Sequence, residues 1–515
     1  MSEGHIDVDL CYLRKNPVDE RIFSAFVEHL GNVIYNGIYN PSQVTSNEDG
    51  FRTDVIDLVK ELNISRIRYP GGNFACSYNW EDTVGPLAER PVRSDLAWTQ
   101  TEPNIVGLAE FEKWVNAIGS KLLLTVNAST RGAMDAANEV EYCNREKGTW
   151  YSDLRRRHGH ANPYDIKDWC IGNEVDGPWN IGMKKADIYG WDAKEIAKAM
   201  RRIDPNIQLV AVGSSGTQLD TYLTWDRTVL ENVYNYVDML SLHRYLGMDG
   251  IEDPTTYDKY DPRDYLELSA RFERNIKDVI AACDYVKGVQ HSNKTMYISI
   301  DEYNTVDVPS VNNETSRQNE IREPWQIGPA SHTPGMSLEA TLLYGLAMIT
   351  ILRHSDRVHI ACQSILVNGG GLVMCEQNDD AWVNGTYYIF KDCSRYGRGK
   401  IVDQKSYATE YPTKSFGTAC GIDSVCVWHE SERELDVLAV NKTAERMNFS
   451  LNAVNFHDLK PINHLVLTAP KLTSRNSLEC PDTLKPVTIH DIACTGSAIK
   501  CEFAPYSWNV LRLQA

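Results

Sequence analysis

The segment "DWCIGNEVDGPWN" (168–180) starts as an apolar run and ends on an amide and a carboxylate, Asn173 and Glu174. A loop rich in Gly, Pro and Trp follows. So short an apolar run reads as a strand buried on both faces, as in a parallel sheet. A carboxylate there is costly unless something uses it. Working outward, the pattern repeats at 22–31, 64–70, 121–128, 207–215, 237–245, 296–304 and 358–366, which with 168–174 makes eight strand candidates. Amphipathic stretches lie between them. In "EDGFRTDVIDLVKELN" (48–63), Phe51, Val55, Leu58, Val59 and Leu62 share one helical face. Segments 186–204 and 337–354 read similarly. This alternation over residues 19–385 predicts a (β/α)8 TIM barrel. A doubly wound open sheet is the alternative, but it normally has fewer strands and often a phosphate-binding loop. "PGGN" (70–73) lacks the G-x-G-x-x-G spacing, and no P-loop pattern occurs. From 386 to 515 the helices are expected to stop, and short strands such as "MNFSLNAV" predict an all-β, jelly-roll-like sandwich. Residues 1–18 are read as a segment joining that sandwich.

The chain has 515 residues, 42% apolar and 24% charged, enough for a large core plus a second unit. Its net charge of -18 argues against nucleic-acid and anionic-membrane partners, which need a basic face, and disfavours a polyanionic substrate. A neutral small molecule remains. The 13 cysteines are odd in number and scattered without a C-x-x-C pair, as expected of reduced, mostly buried thiols. The N-terminal residues contain no apolar signal region, and no uncharged apolar run reaches membrane-spanning length. The expectation is a cytoplasmic protein.

Active sites of such barrels lie at the C-terminal strand ends. The polar endings here are Glu28, Arg68, Asn127, Asn173 with Glu174, Ser214 with Ser215, His243 with Tyr245, and Glu302 with Asn304. Glu302 shares its parity with Ile298 and Ile300, so it is expected to point inward and Asp301 outward toward the helices. Two glutamates on strands four and seven face each other across the mouth, the arrangement of acid/base and nucleophile in glycoside cleavage. Arg68 is a candidate to keep one carboxylate ionised. Trp98 and Trp179 offer flat faces for sugar rings. His243 alone reads more often as a hydrogen-bonded structural histidine. "HGH" (158–160) has no H-E-x-x-H partner, so no metal is expected. The acidic stretch 253–264 reads as a solvated loop rather than a calcium site.

The segments "FVEHLG" (26–31), "RYPGGNF" (68–74), "YNWEDTVGP" (78–86), "LAWTQTEPN" (96–104), "TRG" (130–132), "IGNEVDGPWNIG" (171–182), "LSLHRY" (240–245), "IDEYN" (300–304), "CSRYGRG" (393–399) and "SWNV" (507–510) occur in the order seen in the glycoside hydrolase family 51 α-L-arabinofuranosidases. The chain resembles that family over nearly its whole length. The resemblance implies a retaining exo-glycosidase without a cofactor, cytoplasmic and homo-oligomeric, often hexameric. It implies Glu174 as acid/base and Glu302 as nucleophile. It makes Glu28, Arg68, Asn73, Asn173 and Tyr245 ligands of the furanose ring and its neighbouring carboxylates. His243 supports the catalytic layer, and Trp98 and Trp179 form walls.

Two departures stand out. Tyr303 follows the expected nucleophile where the family usually has Trp. On strand eight, members commonly read C-L-A-Q-L-V-N, whose Gln contacts the sugar. "CQSILVN" (362–368) instead places Ile365 there, with Gln363 roughly 6.6 Å lower along the strand unless a bulge lifts it. The glycine-rich "NGGG" (368–371) follows. A β-D-galactofuranosidase with the same mechanism and a roomier pocket is therefore the near alternative, with β-xylosidase or endoglucanase activity also open. A non-catalytic carbohydrate-binding protein and a metal-dependent hydrolase are alternatives of other classes.

Overall fold

The computed structural model describes residues 2–247, 261–307, 324–330, 333–375, 380–457 and 459–515. Most of the acidic stretch 253–264 falls outside the described residues.

Eight parallel strands close into a barrel. In chain order they are Ser24–Phe26, Arg66–Tyr69, Lys121–Val126, Asp168–Ile171, Gln208–Ala211, Met239–Leu246, Tyr297–Thr305 and Val358–Gln363. Six fall within the apolar runs, and Met239–Leu246 and Tyr297–Thr305 each extend one residue beyond theirs. Helices cover the outside by their apolar stripes. Helix Ala186–Ile203 buries Tyr189, Ala193, Ile196, Ala197 and Met200, spaced three or four apart, with Asp187 in its first turn and Arg201 and Arg202 in its last, each charge matching the helix dipole. Helix Leu338–Arg353 is different, because it is apolar nearly all round and buried at every residue from Leu338 to Leu352 except Glu339. A helix of that kind must be covered on every side. Here the barrel lies on one side and the β-rich C-terminal region on the other. Its Gly345 lets Trp508 of the C-terminal region approach closely; a Cβ there would lie 3.0 Å from the indole.

One expectation fails at this junction. Helices do not stop at 385: Gly385–Tyr396 is helical and packs on Leu338–Arg353. Its aromatic residues resemble a strand in composition, but Tyr387, Phe390, Ser394 and Cys393 recur at helical spacing on the buried side. Asp392 of this helix accepts a 3.0 Å hydrogen bond from Trp508 Nε1.

Ten strands then form one continuous antiparallel-rich ladder that folds over its own apolar core. Strand Ser2–Leu13 lies inside it, antiparallel to Lys400–Ala408 and parallel to Met447–Val454. Its alternating Ile6 and Val8 enter that core.

Candidate active site

A cavity of about 520 Å³ opens at the C-terminal ends of the barrel strands. Glu28, Asn73, Trp98, Glu174, Trp179, His243, Tyr245, Glu302 and Ile365 all line it.

The fourth strand ends in a tight turn that presents Glu174. Gly172 adopts φ +92° and Glu174 itself φ +41°. A non-glycine residue in the left-handed region is strained and is held there by its surroundings. Two donors do so. Trp179 Nε1 donates to Glu174 Oε2 at 2.7 Å, and His243 Nδ1 lies 2.9 Å from Oε1.

Glu302 is held from below and beside. Arg68 Nη1 donates to its Oε1 at 2.7 Å and Tyr245 Oη to its Oε2 at 2.7 Å. Arg68 also donates to Asn173 Oδ1 at 2.8 Å, and Asn173 Nδ2 to Asn73 Oδ1 at 3.0 Å. Gly72 makes room for this layer; a Cβ there would stand 2.5 Å from Glu302 Oε1. One oxygen each of Glu174 and Glu302, with a ring nitrogen of His243, lie within 4.8 Å of one another.

Burial disfavours the charged form of His243, but Glu302 and Asp301 outweigh it and raise its pKa well above the usual range. An imidazolium donates from both nitrogens, to Glu174 and to Asp301 Oδ1 at 3.2 Å. Burial, reinforced by the charge of Glu302, pushes the Glu28 carboxyl up to about 8. Glu28 is thus neutral at pH 7, while its Oε1 still accepts from the N–H groups of Gly72 and Phe74, both at 2.9 Å. A neutral acid at the cavity wall has a proton to donate to a hydroxyl.

Four expectations need correction. Asp301 does not point outward. It is buried beside Arg68 Nε at 3.6 Å and His243. The cause is an extra residue in the seventh strand: Ser299 to Glu302 spans the same distance as Ser241 to His243, and Ile300 to Tyr303 the same as Ala361 to Gln363. This bulge breaks the two-residue alternation, so Asp301 and Glu302 both turn inward while the Tyr303 hydroxyl points to Tyr344 and Met348 of the covering helix. Gln363 does not reach the cavity. It is fully buried, paired with Tyr303 and Ala25, and its amide donates to the Ser364 carbonyl at 3.3 Å. Arg68 and Asn173, expected as ligands of the furanose ring and its neighbouring carboxylates, lie beneath the cavity floor and meet Glu302 and Asn73 rather than the cavity itself. Sequence reading also missed Ser364. Its hydroxyl is 2.7 Å from Tyr245 Oη and lines the cavity. Because Tyr245 donates to Glu302, Ser364 donates to Tyr245, which makes a chain of donors onto that carboxylate. A small polar residue in an apolar run carries no signal by which to find it.

The family model described as α-L-arabinofuranosidase 1 domain matches residues 58–263, and that of the α-L-arabinofuranosidase C-terminal domain matches 301–507. An intracellular exo-α-(1→5)-L-arabinofuranosidase of Acetivibrio thermocellus is 40% identical over 100% of both chains. An exo-α-(1→6)-L-arabinofuranosidase of Bifidobacterium longum is 38% identical over 97% of this chain and 95% of its own. Among solved structures, a family 51 α-L-arabinofuranosidase of B. longum superimposes with a TM-score of 0.92 at 34% identity, covering 100% of each chain. Full-length likeness of this degree, on a barrel that gathers its carboxylates at one mouth, shows that the chain belongs to the family 51 α-L-arabinofuranosidases.

Proposed function

We propose that the protein releases single terminal α-L-arabinofuranosyl residues by a retaining, two-glutamate mechanism. The observation that carries this is the spacing of Glu174 and Glu302. Oxygens within 4.8 Å leave no room for a water between carboxylate and sugar, which inversion requires, and fit direct attack. Their partners separate the roles. Glu302 is bonded to Arg68 and Tyr245, which fix both of its oxygens as a nucleophile requires. Glu174, on the opposite strand, is held by Trp179 and His243, which fix it where a departing oxygen can be protonated. In the first step a Glu302 oxygen bonds to the anomeric carbon, the glycosidic C–O bond breaks, and Glu174 protonates the departing oxygen. In the second, Glu174 takes a proton from water, the water oxygen bonds to the anomeric carbon, and Glu302 leaves.

Uncharged walls such as Trp98 and Trp179 support a neutral sugar, and the relatives named as exo-acting support release of terminal residues. No cofactor has a place in these steps. The relatives named for (1→5) and (1→6) linkages leave either bond within reach of such a pocket. We also read the protein as cytoplasmic, in line with the relatives named intracellular, and as a homo-oligomer on family resemblance. A second reading, β-D-galactofuranoside cleavage, is favoured by one observation: Ile365, Gly369 and Gly370 form one cavity wall with little side-chain bulk. Kinetics on 4-nitrophenyl α-L-arabinofuranoside, β-D-galactofuranoside and the matching pyranosides, with NMR of the first-formed anomer, test the proposal. A product of inverted configuration overturns the mechanism, and preference for a pyranoside overturns the substrate class.

A further inference from the structure

The second cluster of metal-ligating side chains lies far from the barrel mouth, in the C-terminal sandwich. His464, Asp491 and Cys501 each place a ligand atom within 4.8 Å of the others. His464 is fully buried, Cys501 is buried, and the Asp491 side chain is 29% exposed.

The hydrogen bonds around His464 fix its protons. Asn509 Nδ2 donates to the Ser507 carbonyl at 3.2 Å and to Ser507 Oγ at 3.0 Å. Ser507 Oγ in turn donates to the Ala504 carbonyl at 2.7 Å, so it has only lone pairs left for Asn509. The amide orientation of Asn509 is therefore set, and its Oδ1 faces His464 Nε2 at 3.1 Å as an acceptor. Nε2 must carry the proton. Nδ1 then directs its lone pair at Asp491 Oδ1, 2.8 Å away, and two acceptors at that distance need a cation between them. A proton suffices for the pair alone. The nearby thiol turns the pair into a three-donor N, O, S set.

The surroundings complete a ligand sphere. Asn509 orients the imidazole through its outer nitrogen, as second partners of metal-bound histidines do. The Glu502 N–H orients Asp491 through Oδ2 at 3.0 Å, leaving Oδ1 for the cation. The donors come from separate places. His464 is on strand Lys460–Leu467, next to one end of the ten-strand ladder, and Cys501 is on Ala498–Phe503, next to the other. Asp491 lies on the connection that crosses from one end to the other. His464 and Phe503 rings, 5.7 Å apart, show the two ends in contact.

We propose that His464, Asp491 and Cys501 form a binding site for a zinc-type divalent transition cation that clamps the two ends of the sandwich together. Bonds of about 2.0–2.3 Å put tetrahedral ligands roughly 3.3–3.8 Å apart. The set reaches this when the His464–Asp491 pair opens slightly and the sulfur closes in. Water entering past the exposed side of Asp491 fills the fourth position. Binding forms bonds to Nδ1, Oδ1 and Sγ and releases to solvent the proton of the Cys501 thiol and any proton held by Nδ1.

Cobalt(II) is the probe. Full-length protein stripped with chelator and dialysed is titrated with Co2+ and read by absorbance and metal content. The expected result is one equivalent bound with a sulfur-to-cobalt charge-transfer band, which a Glu174–His243–Glu302 locus, lacking sulfur, cannot give. Cys501→Ser is expected to abolish the band, Cys494→Ser on the neighbouring strand to keep it, and Asp491→Asn to weaken Co2+ binding at least tenfold. Zn2+ is expected to raise the unfolding midpoint of the wild type by a few degrees and not that of Cys501→Ser. A wild type without the band, a band that survives Cys501→Ser, or a band lost in Cys494→Ser instead overturns the proposal. Should Cys501→Ser fail to fold, unchanged Co2+ affinity in the partly exposed Asp491→Asn overturns it equally.

Discussion

The two sides of the cavity are built on opposite plans. On the side of strands two, four, six and seven, charge is dense, and Arg68, His243, Tyr245 and Trp179 hold both oxygens of both glutamates. On the side of strand eight the wall is Ile365 with Gly369 and Gly370, and its polar contribution, Ser364, is turned toward Tyr245. Reaction chemistry needs groups fixed to a fraction of an ångström, and a bonded network supplies that. Sugar selection needs only shape and a few partners, so it tolerates change. The difference between the walls teaches that the bond-breaking step and the choice of sugar are separable here.

The sharpest way to break that comparison is to remove Glu302, the nucleophile we propose. Glu302→Ala is expected to lower kcat by about 10⁴- to 10⁶-fold on every substrate, irrespective of leaving group. Glu174→Ala is expected to lose about 10²- to 10⁴-fold on poor leaving groups and to recover much of it on activated aryl glycosides, whose departure needs little protonation. Steady-state kinetics across leaving groups checks both; a reversed pattern exchanges the two roles.

How far the sequence reached follows the same division. Buried parallel strands are apolar runs that end where the side chains meet the cavity, so all eight were legible, and with them Glu174 and Glu302. Asp301 was misjudged because parity counting assumes an unbroken ladder, and the extra residue at 300–302 leaves no trace in composition. The helix Gly385–Tyr396 was hidden because Tyr387, Tyr388, Ile389 and Phe390 read as a strand until the partner helix is known. Arg68 was legible as a partner of a carboxylate, but its depth was not, because depth depends on how the glycines of 71–72 fold over it.

His243 tests whether the network acts through charge. Its raised pKa means that the imidazolium stabilises the fold fully below the unfolded value of about 6.5, and that this stability is lost as pH rises through the higher folded value. His243→Asn is expected to cost about 10²-fold in kcat/KM, the low end for an acid/base contribution. In urea unfolding, the gap between wild type and variant is expected to be widest near pH 6 and to narrow in the alkaline range. A gap that does not change with pH means that His243 is neutral in the folded protein and only fills space.

The smallest effect is expected on the strand-eight wall, and it sharpens the comparison most. Ile365 is 5% exposed, and what it exposes faces the cavity. It cannot hydrogen-bond a hydroxyl, and Gln363 is turned away beneath it. A sugar hydroxyl facing this wall must find water or remain unpaired, at a cost of about 1–3 kcal/mol. Ile365→Gln restores a donor and acceptor at nearly the same volume. It is expected to raise kcat/KM on 4-nitrophenyl α-L-arabinofuranoside by roughly tenfold and to raise it less on the β-D-galactofuranoside, so that the ratio of the two shifts toward the arabinofuranoside. Glutamine pays a rotamer-entropy penalty of up to about 2 kcal/mol when ordered, so the gain falls short of the full hydrogen bond. Paired kinetics of wild type and variant on the two substrates decide it. If both efficiencies stay within about twofold, position 365 does not select the sugar, and the contrast between the two walls is one of packing alone.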